Sequence, residues 1–136
     1  MKLLDTSVVL YALGKPHPYK AACQRIVEDI EEGSSAYTID VELLQEVVYV
    51  YASRGERERA LTVVDLLLDL FPEPIPVTRH EIALMPRVLR ETPSLSPRDA
   101  IHAAVVLRHG LEGLVTTDKA FLTIPGLTVF DPIEPL

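Results

Sequence analysis

Short apolar runs alternate with longer helical patterns along this chain, and this alternation limits the possible folds more than any other feature. The apolar runs predict strands at residues 2–4, 35–39, 75–77, 113–116 and 127–130. The patterns between them predict helices at residues 7–13, 19–32, 41–53, 56–71, 79–91 and 97–109. Pro86 should kink or divide the helix in which it lies. Strands that alternate with helices favour an α/β fold with a mainly parallel sheet.

The predicted helix at 97–109 has almost no polar face. Ser96 is its expected N-cap, Pro97 occupies its first position and Gly110 ends it. A helix that is apolar on all sides is buried on most of them. We therefore expect Asp99, in the first turn of this helix, to lie beside the core and not on an open surface.

The composition is that of one ordinary globular domain. With 136 residues, 48% of them apolar, the chain is long enough for a single domain at 1–136 with its own core. No window approaches the roughly 18 uninterrupted apolar residues of a membrane helix, and the early charge argues against a signal peptide, so we expect a cytoplasmic protein. Cys23 is the only cysteine, which excludes a Cys-rich zinc site. The formal net charge of −7 argues mildly against a nucleic-acid partner.

Four acidic residues lie where apolar segments start or stop: Asp5, Glu46, Asp99 and Asp118. Asp5 follows the first predicted strand and Asp118 the fourth, and parallel sheets bind ligands beyond the carboxyl ends of their strands. If these strands are neighbours, the two aspartates meet in one crevice, which Glu46 and Asp99 can reach from nearby helices. Clustered carboxylates repel one another unless a cation neutralises them. Hard oxygen ligands of this kind suit Mg²⁺ or Mn²⁺.

Each acid also has an ordinary structural explanation. Asp5 could cap the helix that follows it, and Asp118 could cap the short turn that follows it. Asp99 could complete a capping box with Ser96. Glu46 lies about 120° from the centre of its helix's apolar stripe, by the geometry of 3.6 residues per turn, and could face solvent. Four such placements together favour a shared site over four separate explanations.

Four stretches that contain these acids resemble the PIN-domain family, and within it the VapC-type toxin branch. They are Leu4-Asp5-Thr6-Ser7-Val8, Leu43-Leu44-Gln45-Glu46-Val47, Ser96-Pro97-Arg98-Asp99-Ala100-Ile101-His102-Ala103-Ala104 and Leu114-Val115-Thr116-Thr117-Asp118-Lys119-Ala120-Phe121. The resemblance covers nearly the whole chain and rests on the order and spacing of these stretches. It implies a three-layer α/β/α sandwich with a mainly parallel five-stranded sheet, in the strand order 3-2-1-4-5.

The resemblance also implies an activity, with roles for individual residues. The activity is a Mg²⁺- or Mn²⁺-dependent endoribonuclease that serves as the toxin of a type II toxin–antitoxin pair. The family's catalytic acids match Asp5, Glu46, Asp99 and Asp118. The three aspartates would bind the metal, and Glu46 would complete its shell or orient the attacking water. Family members commonly act as dimers held inactive by an antitoxin, so the implied partners are RNA, a second copy of the chain and a cognate antitoxin.

Other residues beside the acids could support the chemistry. The family's hydroxyl next to the cluster would match Thr116 or Ser7. Arg98 and Lys119 each adjoin one of the acids, so either could hold a substrate phosphate. The ordinary explanation is that each simply balances its neighbouring carboxylate. Many relatives carry a further acid where this chain has Lys119, and this departure argues against a strong second metal site.

His102 lies three residues after Asp99, on the same side of the predicted helix. It could support the acids, but burial in the core is a common situation for an imidazole. We therefore leave His102 outside the predicted catalytic set.

Two other functional classes stay open. One is a catalytically silent PIN-like module that binds a metal or a protein partner. The other is a phosphorelay receiver, which also has an acidic pocket at the ends of its strands. A receiver needs adjacent acids after its first strand, whereas Asp5 stands alone. It also needs an aspartate after its third strand, where this chain has Val77-Thr78-Arg79. The receiver is therefore the less favoured of the two.

Overall fold

Four short parallel strands form the sheet in the computed structural model of the protein, which describes residues 1–134. They are β1 (Lys2–Leu4), β2 (Tyr37–Thr38), β3 (Gly113–Val115) and β4 (Val129–Phe130), in the order β2-β1-β3-β4. β1 lies inside the sheet, where Leu3 is opposite both Thr38 and Leu114. The last two residues of the predicted domain at 1–136 lie outside the described residues.

Six α-helices accompany this sheet in the described part of the chain. They are α1 (Thr6–Leu13), α2 (Lys20–Glu31), α3 (Val41–Ser53), α4 (Arg57–Leu70), α5 (Arg79–Glu91) and α6 (Pro97–His109). A 3₁₀ helix at Lys119–Thr123 follows β3. The most extensive helix contacts pair α1 with α2, α3 with α4, and α5 with α6. Within residues 1–134, no helix combines the length and the apolar composition that crossing a bilayer requires.

Two apolar clusters lie on opposite faces of the sheet, because successive side chains of a strand point to opposite sides. Leu3 and Leu114 belong to the cluster that contains the buried residues of α5 and α6. Leu4 and Val115, one position later in each strand, belong to the cluster that contains the buried residues of α1 to α4. The predicted α/β fold with a parallel sheet flanked by helices is confirmed.

The predicted strand at 75–77 is wrong. Only Ile75 pairs with the sheet, as an isolated parallel bridge to Asp40. Its two backbone hydrogen bonds, of 2.9 and 3.0 Å, join it to the residues on either side of Asp40. Pro74 and Pro76 have no N–H, which confines this segment to the edge of the sheet, and the pairing does not continue to Val77. The sheet therefore has four strands and not five, and a single bridge stands where the predicted order 3-2-1-4-5 has its third strand.

Pro86 does not divide α5, so of the two predicted effects, a kink or a division, the division is wrong. Its side chain is exposed, and it lies within one continuous helix. The start of that helix is held by a capping box, in which Thr78 and Glu81 bond to each other's backbone N–H groups. The missing N–H of Pro86 leaves the carbonyl of Ile82 without its usual helical partner. Ile82 is itself exposed, so solvent can satisfy that carbonyl.

The helix α6 has the predicted bounds and the predicted burial. The Ser96 hydroxyl accepts a hydrogen bond of 3.2 Å from the backbone N–H of Asp99, and so caps the start. Gly110 ends the helix in the left-handed conformation, with φ of 60°. Six of its 13 residues are buried, namely Ala100, His102, Ala103, Ala104, Val105 and Val106. Asp99 is half-buried at the start of this central helix, as expected.

Candidate active site

Asp5 follows β1 directly and is almost fully buried, with 5% of its surface exposed. Its backbone N–H donates a hydrogen bond of 2.9 Å to the carbonyl of Val115, which continues the pairing of β1 with β3. Its Oδ2 accepts hydrogen bonds from Ser7 Oγ at 2.8 Å and from Thr116 Oγ1 at 2.7 Å. The side chain makes no capping bond to α1, so the explanation of its carboxylate as a helix cap is wrong. Two hydroxyls instead hold it at the carboxyl end of the sheet.

Asp118 is joined to the same place through Thr116. The backbone N–H of Asp118 donates a hydrogen bond of 3.0 Å to Thr116 Oγ1, the hydroxyl that donates to Asp5. Asp118 Oδ1 accepts a hydrogen bond of 2.9 Å from the N–H of Ala120, so the predicted cap of the following turn is present as well. The side chain is exposed and lines the same cavity as Asp5. Capping and a place in the shared site are therefore compatible.

Glu46 and Asp99 reach this cavity from α3 and α6. Glu46 is 8% exposed, so the expectation that it could face solvent is wrong. A helix angle measured from the sequence locates the apolar stripe, but α3 also contacts α6, and Glu46 lies where the two helices meet. Burial raises the pKa of Asp99 to about 6, and repulsion from Asp5 adds to that rise. Burial likewise raises the pKa of Asp5, while His102 and the two hydroxyls oppose the rise.

A buried histidine connects two acids behind the cavity. His102 is fully buried on α6, as the core explanation predicts. Its Nδ1 lies 2.7 Å from Asp40 Oδ2 and its Nε2 lies 2.8 Å from Glu46 Oε1. The same Nε2 lies 3.8 Å from Asp5 Oδ1. Burial lowers the pKa of His102, but the hydrogen bonds to Asp40 and Glu46 outweigh it, and the pKa lies well above its usual range.

Asp40 is the residue of this cluster that the sequence did not reveal. It is fully buried, and its Oδ1 caps α3 by accepting a hydrogen bond of 2.9 Å from the N–H of Leu43. Its position immediately before a predicted helix is a recognisable N-cap signal. That signal explains one of its oxygens and gives no hint that the other faces His102 from a distant part of the chain. Only the packing of α3 against α6 brings them together.

The four predicted acids line one open cavity of about 870 Å³. Ser7 also lines it, whereas Thr116 lies beneath it as the hydrogen-bond partner of Asp5. The same cavity is also lined by nitrogen-bearing side chains, namely Lys15, His17, Arg54 and Arg59. The predicted phosphate contacts Arg98 and Lys119 are not among the lining residues. Arg98 lies over the ring of Tyr49, with 4.0 Å between its guanidinium carbon and the ring centroid.

The chemistry of the four acids fits a hard divalent cation, because carboxylate oxygens are the ligands that such ions prefer. The mutual repulsion that raises the pKa of Asp99 is the effect that a bound cation would relieve. Among residues 1–134, however, no three His, Cys, Asp or Glu side chains converge closely enough to hold an ion as they stand. The acids share one cavity, but they would have to move toward each other to close on a metal.

Comparisons with known proteins identify a family. The PIN domain family model matches residues 2–127 of the chain. The chain is 31% identical over 127 residues to Ribonuclease VapC13 of Mycobacterium tuberculosis, across 93% of this chain and 97% of that protein. It is 32% identical over 126 residues to Ribonuclease VapC7 of the same organism, across 89% and 84% of the two chains.

Two solved structures of bacterial proteins have the same fold. FitAcB from Neisseria gonorrhoeae aligns with a TM-score of 0.75 and 21% identity, over 97% of this chain and 98% of that one. A toxin–antitoxin complex from Klebsiella pneumoniae contains a chain that aligns with a TM-score of 0.69 and 20% identity, over 99% and 100% of the two chains. At these identities the likeness shows the fold alone.

Proposed function

Because the chain belongs to the PIN domain family, we propose that its acidic cavity is the active site of a metal-dependent endoribonuclease. One observation carries the proposal. Acids from β1, α3, α6 and the end of β3 line a single cavity: Asp5, Glu46, Asp99 and Asp118. They come from four distant parts of the chain, so local capping does not account for their meeting. The relatives named as ribonucleases support RNA as the substrate.

The proposed roles follow from where each acid lies. Asp5, Asp99 and Asp118 would hold Mg²⁺ or Mn²⁺, and Glu46 would orient the attacking water. When bound, such an ion lowers the pKa of a coordinated water and neutralises charge that develops on the phosphate. Glu46 Oε1 is occupied by His102, so its Oε2 is the oxygen left to contact that water.

The hydroxyls of Thr116 and Ser7 have a supporting role. Both donate to the same oxygen of Asp5, Oδ2, and they hold its carboxylate in one orientation. The backbone N–H of Asp118 donates to the Thr116 hydroxyl, so this one hydroxyl links Asp5 and Asp118. Hydrogen-bonded partners of metal ligands commonly change metal affinity or activity by about 10–100-fold when they are removed.

Basic side chains in the same cavity suit the RNA backbone. Lys15 and Arg54 line the cavity and are exposed, whereas Arg59 is partly committed, because its Nη2 donates a hydrogen bond of 2.6 Å to the Leu13 carbonyl. Contacts of this kind position a nucleic acid through its phosphates. Arg98 and Lys119 stay predicted phosphate contacts outside the cavity lining. The net charge of −7 is thus compatible with RNA, since part of the negative charge belongs to the metal-binding acids.

The proposal includes a toxin role. A toxin–antitoxin complex among the structures with the same fold supports a cognate antitoxin as partner. A homodimer and a cytoplasmic location accompany this role as proposals. The catalytically silent module is the second candidate, and one observation favours it, namely that the described acids do not converge into a ready metal site.

The test is cleavage of a labelled structured RNA with Mg²⁺ or Mn²⁺, using the native chain, Asp99→Asn and Asp69→Asn. Asp69 is exposed on α4 and does not line the cavity, so its variant removes the same charge elsewhere. We expect metal-dependent cleavage by the native chain and by Asp69→Asn, and its loss in Asp99→Asn. Equal cleavage by all three would mean a contaminant or another site.

If none of the proteins cuts any RNA tried, a calorimetric Mn²⁺ titration decides what remains. If the native chain binds Mn²⁺ and Asp99→Asn does not, the proposed metal pocket is supported and RNA is rejected as the substrate. No binding by either protein would favour the silent module.

A further inference from the structure

A row of three buried side chains runs from the start of α3, through His102 in the middle of α6, to Glu46 within α3. Asp40 Oδ2 lies 2.7 Å from His102 Nδ1, and His102 Nε2 lies 2.8 Å from Glu46 Oε1. Asp40 and His102 are fully buried, and Glu46 is 8% exposed. Of the three, only Glu46 lines the cavity. The row therefore reaches the site at one end and is closed from solvent at the other.

Both ring nitrogens of His102 lie within hydrogen-bond distance of carboxylate oxygens, and the ring is fully buried. Neither nitrogen is therefore left to contact a substrate. Buried carboxylates are costly unless they are paired and hydrogen-bonded, and His102 supplies both conditions to Glu46 and Asp40. This geometry describes a residue that holds others in place and not one that reacts.

The position of His102 also relates three of the proposed catalytic acids to one another. His102 lies three residues after Asp99 on α6, so the two side chains share one side of that helix. Glu46 lies six residues after Asp40 on α3, and both face α6. His102 Nε2 lies 3.8 Å from Asp5 Oδ1, at the end of β1. The imidazole of His102 therefore contacts Glu46, lies 3.8 Å from Asp5 and is on the same side of α6 as Asp99.

We propose that Asp40 and His102 are positioning residues, which fix the carboxylate of Glu46 relative to Asp5 and Asp99. The inference rests on the proposed ribonuclease function, because it assigns Glu46 a task in that reaction. Asp40 holds the ring through Nδ1, and Asp40 is itself held at the start of α3 by the capping bond to its other oxygen. Glu46 then presents its free oxygen to the cavity.

The chain offers a matched control on the same helix. His109 Nε2 lies 3.0 Å from Glu81 Oε1, so it too joins α6 to a buried glutamate, this time on α5. This second pair does not line the cavity. His109→Gln and His102→Gln therefore remove similar histidine–glutamate contacts, and only the second variant touches the proposed site.

The test measures kcat and KM for RNA cleavage, and the melting temperature, for the native chain and both histidine variants. We expect His102→Gln to lower kcat by about 10–100-fold, the usual effect of removing such a supporting group, with KM changed less than about 2-fold. His109→Gln should lower the melting temperature and leave kcat within about 2-fold. A folded His102→Gln with native kcat, or equal losses of kcat in both variants, would overturn the proposal.

A second substitution covers the case in which His102→Gln does not fold. Asp40→Ser keeps an N-cap for α3, because serine also accepts from the helix N–H groups, but its side chain is too short to reach His102. We expect a loss of kcat in Asp40→Ser, because His102 loses its partner at Nδ1 while the helix cap remains. Native kcat in a folded Asp40→Ser would contradict the positioning role.

A readout apart from activity separates this inference from the proposed function. If the native chain cuts no RNA, a calorimetric Mn²⁺ titration still compares the same proteins. Affinity that falls about 10–100-fold in His102→Gln and stays unchanged in His109→Gln would support positioning of the acids without the nuclease. Equal affinities, or no binding by any of them, would overturn it.

Discussion

The hydroxyl of Thr116 donates a hydrogen bond of 2.7 Å to Asp5 Oδ2, across 111 residues of sequence. The two residues follow β3 and β1, which are neighbours in the sheet. The same hydroxyl accepts from the N–H of Asp118 at 3.0 Å. The pairing of two short strands therefore decides where two of the four acids lie.

Thr116→Val removes this hydroxyl while keeping the shape and burial of the side chain. The Asp118 N–H and one oxygen of Asp5 then lose a partner, so we expect a loss of about 1–3 kcal/mol in the free energy of unfolding. RNA cleavage should fall by about 10–100-fold. Urea denaturation and initial rates measure the two effects. Thr62→Val on the exposed side of α4 is the control and should change neither; equal behaviour of the two variants would refute the role of Thr116.

Asp99→Asn should stabilise the metal-free protein at neutral and alkaline pH. The pKa of Asp99 rises from 3.8 to about 6 on folding, chiefly through burial and then through repulsion from Asp5. The folded state therefore binds the proton more tightly, and its stability falls as pH rises from about 4 to about 6. Thermal melting in the presence of a chelator should show a higher melting temperature for Asp99→Asn at pH 8, with little difference at about pH 4. Asp69→Asn is the matched control, and an equal rise in that variant would contradict the explanation.

Glu81→Gln should lower the free energy of unfolding at neutral pH, and it should lower it much less in acid. Hydrogen bonds from the Thr78 hydroxyl and backbone N–H, and from His109, lower the pKa of Glu81 from 4.5 to about 2. Because folding lowers the pKa, the ionised side chain of Glu81 stabilises the folded state above about pH 4.5, the ordinary pKa of the group. That contribution is lost as the pH falls toward about 2.

Urea denaturation at a series of pH values measures the difference in the free energy of unfolding between the native chain and Glu81→Gln. The difference should be largest at pH 7 and should shrink between about pH 4.5 and 2. Glu91→Gln, at the exposed end of the same helix, should show no such dependence. A difference that stays constant down to pH 2 would exclude the linkage.

A substrate with a 2′-deoxy substitution at the scissile nucleotide should still be cut. In the proposed reaction the nucleophile is a water oriented by Glu46, so the 2′-hydroxyl takes no part in bond cleavage. Cleavage of the deoxy substrate is compared with the all-ribose substrate under single-turnover conditions, with binding measured separately. Complete loss of cleavage while binding is retained would reject the water mechanism.

The helices were the most predictable part of the fold. The predicted bounds of α3, α5 and α6 are those of the structure, because caps such as Ser96 and Gly110 are local signals. The strand predicted at 75–77 is reduced to a single bridge at Ile75, because an apolar run indicates burial and does not show whether its backbone pairs with a neighbouring strand. Pairing depends on donors in a neighbouring strand, which periodicity does not report.

The candidate site was predictable only in part. All four acids that the sequence identified line the cavity. Their positions at the ends of apolar segments were enough to predict that they meet. The burial of Glu46 and the role of Asp40 were not predictable from helix geometry. Both depend on His102, which is 56 and 62 residues away from them in sequence.

The sequence by itself determined the α/β alternation, the buried helix α6 and the identity of the acids, because periodicity and caps are properties of neighbouring residues. Tertiary structure alone decided which oxygens face each other. It brought Thr116 against Asp5 through strand pairing, and it buried His102 between Asp40 and Glu46 through helix packing. Contacts over such separations depend on the relative placement of whole elements, and local patterns carry no record of that placement.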